Sequence, residues 1–496
     1  MGRLPLRRGL IRLRYDVVIR DGLLVDGTGG PPTPGDLAIV GDRIVTAGGS
    51  LAATEAAVEI DAQGLIVAPG FIDTHAHDDR ALLEQRTAPK VSQGVTTVVT
   101  GNCGISLAPL VLEADPPPPL DVVGARSDYR FKSFAQYLDA VDAAEPQVNA
   151  AFLVGHSTLR VRHVRALDEP ATPDEIDAMK DAVREALEAG AVGLSTGLFY
   201  APASASPPDE VLQLLGLLAG TGAVYTTHMR DEGDRVMDSL EETLGVAREA
   251  DVPVVISHHK VVGRSNFGRS EETLRVIDDA RGRQDVGLDA YPYTASSTVL
   301  RPAMVAQSTR VLVTWSTPHP EAAGRDLKDL ADGWGVTPEA AADRLQPGGA
   351  IYWSMDEADV RRVLAFEGTM IGSDGLPHDA HPHPRLWGTF PRVLGRYSRE
   401  LGLFSIEEAV RRMTSLPAER FRLAGRGTLS PGAFADVCIF DPTTVIDRAT
   451  FEDPQVPAAG IAYVFVNGTL VWERGAATGA SPGRALRRRR TGTLPD

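Results

Sequence analysis

The 496-residue sequence predicts an α/β protein: an eight-stranded (β/α)8 TIM-type barrel, joined to a small β domain that both termini build. Three observations carry that prediction. Eight short apolar or β-branched runs recur through the middle of the chain, with helical stretches between most of them. Both ends instead alternate short apolar runs with Asp-Gly, Gly-Gly and Asn-Gly turns. One interval, of about 75 residues between the seventh and eighth runs, is too long for a helix and two loops.

Taken in order, residues 15–62 hold YDVVIRDGLLVDGTGG and DLAIVGDRIVTAGGS, which read as strands and hairpins. The barrel runs follow at Leu65–His75, Thr96–Gly101, Ala151–His156, Ala191–Thr196, Ala223–His228, Val252–His258, Val286–Tyr291 and Gly368–Asp374. Amphipathic stretches such as PDEIDAMKDAVREALEAG and EVLQLLGLLAGTG lie between them and stop at glycine. The long interval predicts an insertion at about 294–355 over the mouth of the barrel, where loops build active sites and lids. ADPPPPL, at 114–120, reads as an irregular loop. GTLSPGAFADVCIFDP and IAYVFVNGTLVWERG, with Asn-Gly at 467–468, return to strands. The expected division is 1–62 and 425–496 for the β domain and 63–424 for the barrel. The basic tail GRALRRRRTGTLPD reads as a solvated or partly disordered end.

Composition narrows the function. The net charge of −16 speaks against nucleic acid or an anionic membrane as partner. No run is long and apolar enough to span a bilayer, and MGRLPLRRGLIRLRYD lacks the apolar stretch of an export signal. Two cysteines, Cys103 and Cys438, exclude a disulfide framework and lead to the expectation of a reducing, cytoplasmic setting.

Chemistry-bearing residues gather at the strand ends. His75 and His77 close the first run in GFIDTHAHDD, and Cys103 follows the second in TGNCGIS. His228 ends the fifth in YTTHMRDE, His258 the sixth in VVISHHK, and Asp374 the eighth in MIGSDGLPHD. In a parallel barrel these ends share one face, the one that carries the chemistry. Thiolate, imidazole and carboxylate donors together suit zinc. Cys438, inside the alternating strand ADVCIF, reads as an inert buried thiol. His156 ends the third run with nothing to pair it, and reads equally as a supporting or a core histidine. His259 points away from His258, and HDAHPHP at 378–384 reads as a loop because Pro382 and Pro384 break a shared face. Lys260 shares the face of His258, Tyr291 ends the seventh strand and Arg385 follows Asp374; these types suit a substrate carboxylate.

The blocks PGFIDTHAHDD, TGNCGISLAPL, STGLFYAPA, THMRDE, ISHHK, DAYPYTASST, IGSDGLPHD and HPHPRLWGTFPRVLGRY occur in order over about residues 15–485. In them the chain resembles the N-acyl-D-amino-acid deacylase (D-aminoacylase) family of the amidohydrolase superfamily. The resemblance implies a β-sandwich from both termini and a barrel insertion between the seventh and eighth strands. It implies a tightly held zinc at Cys103, His228 and His258, and a second, weaker or vacant metal position bordered by His75, His77 and Asp374. It also implies a carboxylate clamp of Lys260, Tyr291 and Arg385. The wider superfamily mostly places a carboxylated lysine on the fourth strand. Here that strand reads GAVGLSTG, with Ser195 and Thr196, which argues against a hydantoinase or dihydroorotase.

The resemblance implies zinc-dependent hydrolysis of an N-acyl-D-amino acid, a small-molecule substrate, to a carboxylate and a free D-amino acid. Asp374 takes a proton from the attacking water and gives it to the leaving amine. Two other readings stand beside it: another metal-dependent amidohydrolase acting on D-dipeptides or cyclic amides, and a scaffold of this fold without catalysis.

Overall fold

The computed structural model describes residues 14–52 and 55–488. Its centre is a sheet of eight parallel strands: β1 (Phe71–Asp73), β2 (Val95–Thr100), β3 (Asn149–Gly155), β4 (Gly193–Gly197), β5 (Val224–His228), β6 (Val254–Ile256), β7 (Val286–Ala290) and β8 (Thr369–Ile371). Each pairs with the next in parallel register. The barrel closes between β8 and β1 through contacts past the strand ends. The Thr74 hydroxyl donates to the Ile371 carbonyl at 3.0 Å, the Asp374 amide to the His75 carbonyl at 2.8 Å, and Ala76 bridges Gly375.

Local sequence accounts for the crossovers. Between β3 and β4 the helix Pro173–Ala189 starts at Thr172, whose side chain and that of Glu175 cap each other's backbone amides. Pro173 occupies its first turn and Gly190, at φ 112°, ends it. Its Ile176, Met179, Val183 and Leu187 recur on one face and are buried.

Strands of the two termini are hydrogen-bonded into one sheet. Arg14–Leu24, Thr33–Val40, Arg43–Ala47 and Glu55–Asp61 come from the start, and Val437–Phe440, Ile461–Val466, Thr469–Glu473 and Ala476–Ala477 from the end. Backbone bonds between residues 42–44 and 432–435 curl it, and Ile19, Leu37, Ile44, Val437 and Phe465 share the enclosed core. The Asn-Gly turn has positive φ at both residues, 48° and 79°, as a two-residue hairpin requires.

Two readings change. The first apolar run, Leu65–His75, is two strands in two sheets. Ile66–Pro69 pairs with Val437–Phe440 in the terminal sheet, and after Gly70 the chain enters the barrel as β1. The basic tail, expected to be solvated, is docked as far as residue 488. Ala485–Leu486 pairs in parallel with Ala150 and Ala151 of β3. Arg487 pairs with Asp142 at 2.6 Å, and Arg488 donates to three backbone carbonyls. An apolar pair flanked by arginines finds both a strand edge and acceptors there. Residues 489–496 lie outside the described part.

Between β7 and β8 the chain forms a three-stranded antiparallel sheet, Ala295–Val299, Val311–Ser316 and Gly348–Trp353, with the last strand in the middle. Helices Leu327–Trp334 and Pro338–Leu345 cover it, and Leu330, Ala341, Leu345 and Tyr352 give it a core of its own.

Candidate metal centre and active site

Three of the predicted site residues sit in backbone that ordinary side chains avoid. Cys103, His258 and Asp374 have positive φ, of 54°, 37° and 50°. Strain of this kind persists only where surrounding structure enforces it. After Cys103 the chain passes through Gly104 at φ 76°, where a Cβ would stand 2.8 Å from both the Gly197 amide and the Ser157 hydroxyl. Only glycine lets the Cys103 turn seat itself so deeply in the barrel mouth.

These turns bring the donors together. Cys103 Sγ lies 3.2 Å from His75 Nε2 and 3.4 Å from His258 Nε2, and His258 Nε2 lies 3.0 Å from His228 Nδ1. Asp374 Oδ1 is 3.3 Å from His77 Nε2 and 3.6 Å from His75 Nε2. Two donor groups result, Cys103 with His228 and His258, and Cys103 with His75, His77 and Asp374; in each the donor atoms lie within 4.8 Å of one another. Cys103 belongs to both. All six residues are buried.

The donors fit a zinc ion on chemical grounds. One thiolate and two imidazoles, crowded about a single point, are the soft and borderline ligands zinc prefers. Burial alone would push the Cys103 thiol up, but His75 and His258 outweigh it and hold it well below the usual thiol range. Against burial, Cys103, Asp289 and Asp374 hold His75 well above its ordinary value; Asp374 and Cys103 push His77 up to about 9. A thiolate and a carboxylate held ionised among imidazoles are the donors a divalent cation takes, and such sites release protons on metal binding.

Supporting groups complete the shell. Glu232 Oε1 is 3.1 Å from His258 Nδ1, and its other oxygen is 3.7 Å from His228 Nε2. His258 Nδ1 thus lies between this carboxylate and the Lys260 ammonium, 2.8 Å away, while its Nε2 faces Cys103. Asp289 accepts from the His258 amide at 2.8 Å and stands 3.5 Å from His75 Nδ1. Beneath the histidine loop, fully buried Lys90 bonds Asp73 at 2.7 Å and Ser373 at 2.9 Å, and pairs with Asp78 at 3.1 Å. Neither Glu232, Asp289 nor Lys90 was singled out from sequence. Glu232 falls within THMRDE and Asp289 within DAYPYTASST, but spacing alone did not distinguish them from solvated acids.

A cleft of about 170 Å³ opens over the donors. Lys260 lines it, with Nζ 2.8 Å from Glu232 and 5.8 Å from the Tyr291 ring centre. Arg385 is fully buried: Nη1 lies 2.8 Å from Asp374 Oδ2, Nη2 donates to the Ser297 carbonyl, and Cζ stands 4.6 Å from the Tyr291 ring centre. Burial alone would raise the Asp374 carboxyl, but Arg385, then His75 and His77, hold it well below the usual range. The hydroxyls of Tyr291, Ser296 and Ser297, which line the cleft, and Nε of Arg385 behind Tyr291 have no hydrogen-bond partner among the described residues. Buried polar atoms in that state mark a place that a polar ligand completes.

The remaining candidates lie elsewhere. His156 bonds Glu210 at 2.9 Å in a buried network with Arg160. His259 turns away to Thr273, at 2.8 Å, and burial pushes it down to about 4. His381 and His383 bond the carbonyls of Phe451 and Ala295 in a loop. Cys438 is buried with no charged neighbour among the described residues, and burial pushes its thiol up.

The amidohydrolase family model matches residues 58–280 and 341–472. The chain belongs to the amidohydrolase family. Within that family, it is 55% identical to a D-aminoacylase of Alcaligenes xylosoxydans xylosoxydans, over 96% of this chain and 98% of that one. A solved D-aminoacylase with a binuclear metal centre, activated by one metal and attenuated by the second, superimposes with a TM-score of 0.93 at 54% identity, covering 96% of this chain and all of that one. The N-acyl-D-glutamate deacylase of Bordetella bronchiseptica, solved with zinc and a phosphonate mimic of the tetrahedral intermediate, gives 0.93 at 46% identity and the same coverage. The eight-stranded barrel with its added β domain is therefore the amidohydrolase fold in this chain.

Proposed function

We propose that this chain hydrolyses the amide bond of N-acyl-D-amino acids, releasing a carboxylate and a free D-amino acid. The observation that carries the reading is one buried thiolate shared by two donor groups, with an ionised Asp374 beside it at the barrel mouth. Cys103, His228 and His258 would hold a tight zinc, and His75, His77 and Asp374 would border a second, weaker position. When bound, zinc supplies Lewis acidity toward an amide carbonyl and toward water.

The chain's own groups do the rest. Asp374, kept ionised by Arg385, accepts a proton from the attacking water at Oδ1 and returns it to the leaving nitrogen. His77 and His75, beside that oxygen, orient the carboxylate. Lys260, Tyr291 and Arg385 receive the substrate carboxylate, which supplies the missing partners of the Tyr291 hydroxyl and the Arg385 guanidinium. Ile105, Val122, Phe199, Met304 and Leu376 line the cleft, and Arg301 is engaged with the Phe199 ring 4.4 Å away. That wall favours a neutral, apolar side chain on the substrate.

The test is amine release from N-acetyl-D-methionine and N-acetyl-L-methionine by protein as purified, after chelation, and after return of zinc. Hydrolysis of the D form alone, lost with chelation and restored by zinc, is expected. Hydrolysis of neither form by zinc-loaded protein would transfer the reading to D-dipeptides or cyclic amides.

A further inference from the structure

A second concave feature lies at the opposite end of the barrel, where the strands begin. It is a cavity of about 370 Å³ between the segment before β4, the segment before β5, residues 421–426 and the docked tail. Five arginines line it: Arg422, Arg426, Arg484, Arg487 and Arg488. No aspartate or glutamate is among its described lining residues. In a chain of net charge −16, a wall of five guanidiniums without a carboxylate runs against the general surface.

Tail docking accounts for part of this. Arg426 pairs with Asp436, Arg484 with Asp42 at 3.0 Å, and Arg487 with Asp139 at 3.0 Å and Asp142 at 2.6 Å, all acids set outside the cavity. Arg488 donates to the carbonyls of Leu187, Ala191 and Thr221. Docking does not account for Arg422, an exposed side chain that makes no ion pair with a described residue. Its backbone is left-handed, with φ 53°, a conformation that costs an arginine free energy. Its guanidinium lies against Gly222, which has φ 78° of its own and where an added Cβ would overlap it. The exposed Arg422 thus adds one more charge to an already cationic wall.

We propose that this cavity binds a small polyanion, with two or more phosphate, sulfonate or carboxylate groups, that bridges Arg422 to the tail arginines. Guanidinium forks match oxyanions two bonds at a time, and several converging forks select a polyanion over a monoanion. The volume lies in the range of small-molecule sites. Such a ligand would tie the docked tail to the barrel body, far from the donor cluster.

Calorimetric titration of the zinc-loaded full chain tests this at constant ionic strength, with 1,3-benzenedisulfonate as probe and methanesulfonate as the monoanion control; neither strips zinc. The disulfonate is expected to bind at least about tenfold more tightly than the monoanion, and Arg422→Asn, which tolerates the left-handed backbone, to weaken it about tenfold. Arg422→Lys, which keeps the charge but not the fork, should fall between. Deacylation by the variants should match the parent, and the binding result stands whether or not the chain is a deacylase. Equal, weak binding of both anions would overturn the proposal. So would a disulfonate affinity untouched by Arg422→Asn, or disulfonate binding that competes with N-acetyl-D-methionine.

Discussion

Replacing Asp374 by Asn separates the chemistry of the site from its assembly. The amide keeps the shape and can still accept from Arg385, whose Nη1 lies 2.8 Å from Oδ2, but it cannot take a proton at Oδ1, 3.3 Å from His77. Loss of a positioned acid–base group costs about 10²–10⁴ in rate, or about 2.7–5.5 kcal/mol at 1.36 kcal/mol per tenfold. Stability should fall as well. The substitution leaves a fully buried guanidinium facing a neutral group, and breaking a buried pair costs roughly 3–5 kcal/mol when the partner charge is stranded. The neighbouring imidazoles soften that loss, because they give up protons once the carboxylate is gone. The assay is kcat and KM on N-acetyl-D-methionine, with zinc content and a circular-dichroism melt on the same preparation. Expected are a kcat lower by about a hundredfold or more, a lowered Tm and zinc retained at Cys103, His228 and His258. A folded, zinc-bearing variant that turns over within a few-fold of the parent would refute the proton-transfer role, whatever its Tm.

Further outcomes follow from the same geometry. Arg385→Lys should raise KM by about tenfold or more and lower kcat less, since an ammonium cannot both keep the Nη1 contact to Asp374 and offer the Nε that lacks a described partner; a change confined to kcat would tie Arg385 to Asp374 alone. N-acetyl-D-methionine should exceed N-acetyl-D-glutamate in kcat/KM by about tenfold or more, because the one arginine among the described residues lining the cleft, Arg301, is engaged with the Phe199 ring; the reverse ranking would show that Arg301 leaves Phe199 to bind the side-chain carboxylate. Glu210 is held down to about 2, against 4.5, because His156 and Arg160 outweigh the burial that would raise it. Its folded pKa is depressed, so it contributes about 3 kcal/mol of stability above pH 4.5, lost as pH falls toward 2. Urea midpoints of Glu210→Gln and the parent should therefore differ most at pH 7, draw together below pH 4.5 and converge only toward pH 2, and parallel pH curves would contradict this.

How much was legible in the sequence depended on whether topology alone placed a residue. His228 is the last residue of β5, and Cys103, His258 and Asp374 fall two or three residues past their strands, so a correct strand count sends them to one face. The groups behind them were not legible, because their roles depend on side-chain direction. Glu232 reaches back to two histidines from the loop after β5, and Lys90 rises under the histidine loop from a short helix, Ala88–Val91. Neither direction leaves a periodic trace. The split of the first apolar run was hidden for a related reason. Ile66–Pro69 and Phe71–Asp73 are both buried strands, and hydrophobicity does not say which sheet a buried strand joins. The tail misled because arginine-rich composition reads as solvated, whereas docking depends on the two apolar residues between the charges.

The fourth strand shows how the site is built without a lysine there. Ser195 of β4 donates from Oγ to the Gly101 carbonyl and accepts the Gly104 amide at 3.0 Å. It thus straps both sides of the turn that lifts Cys103 into the mouth. A ligand side chain at Ser195 would have to project where that turn now sits, and a bulkier residue at Gly104 would collide with β4 at Gly197. The donor shared by both groups therefore comes from the β2 turn, and β4 supplies its support. The cysteine at 103, the glycine at 104 and the serine at 195 are one structural solution, so transplanting a lysine to 195 alone would dislodge the thiolate before it could add a ligand.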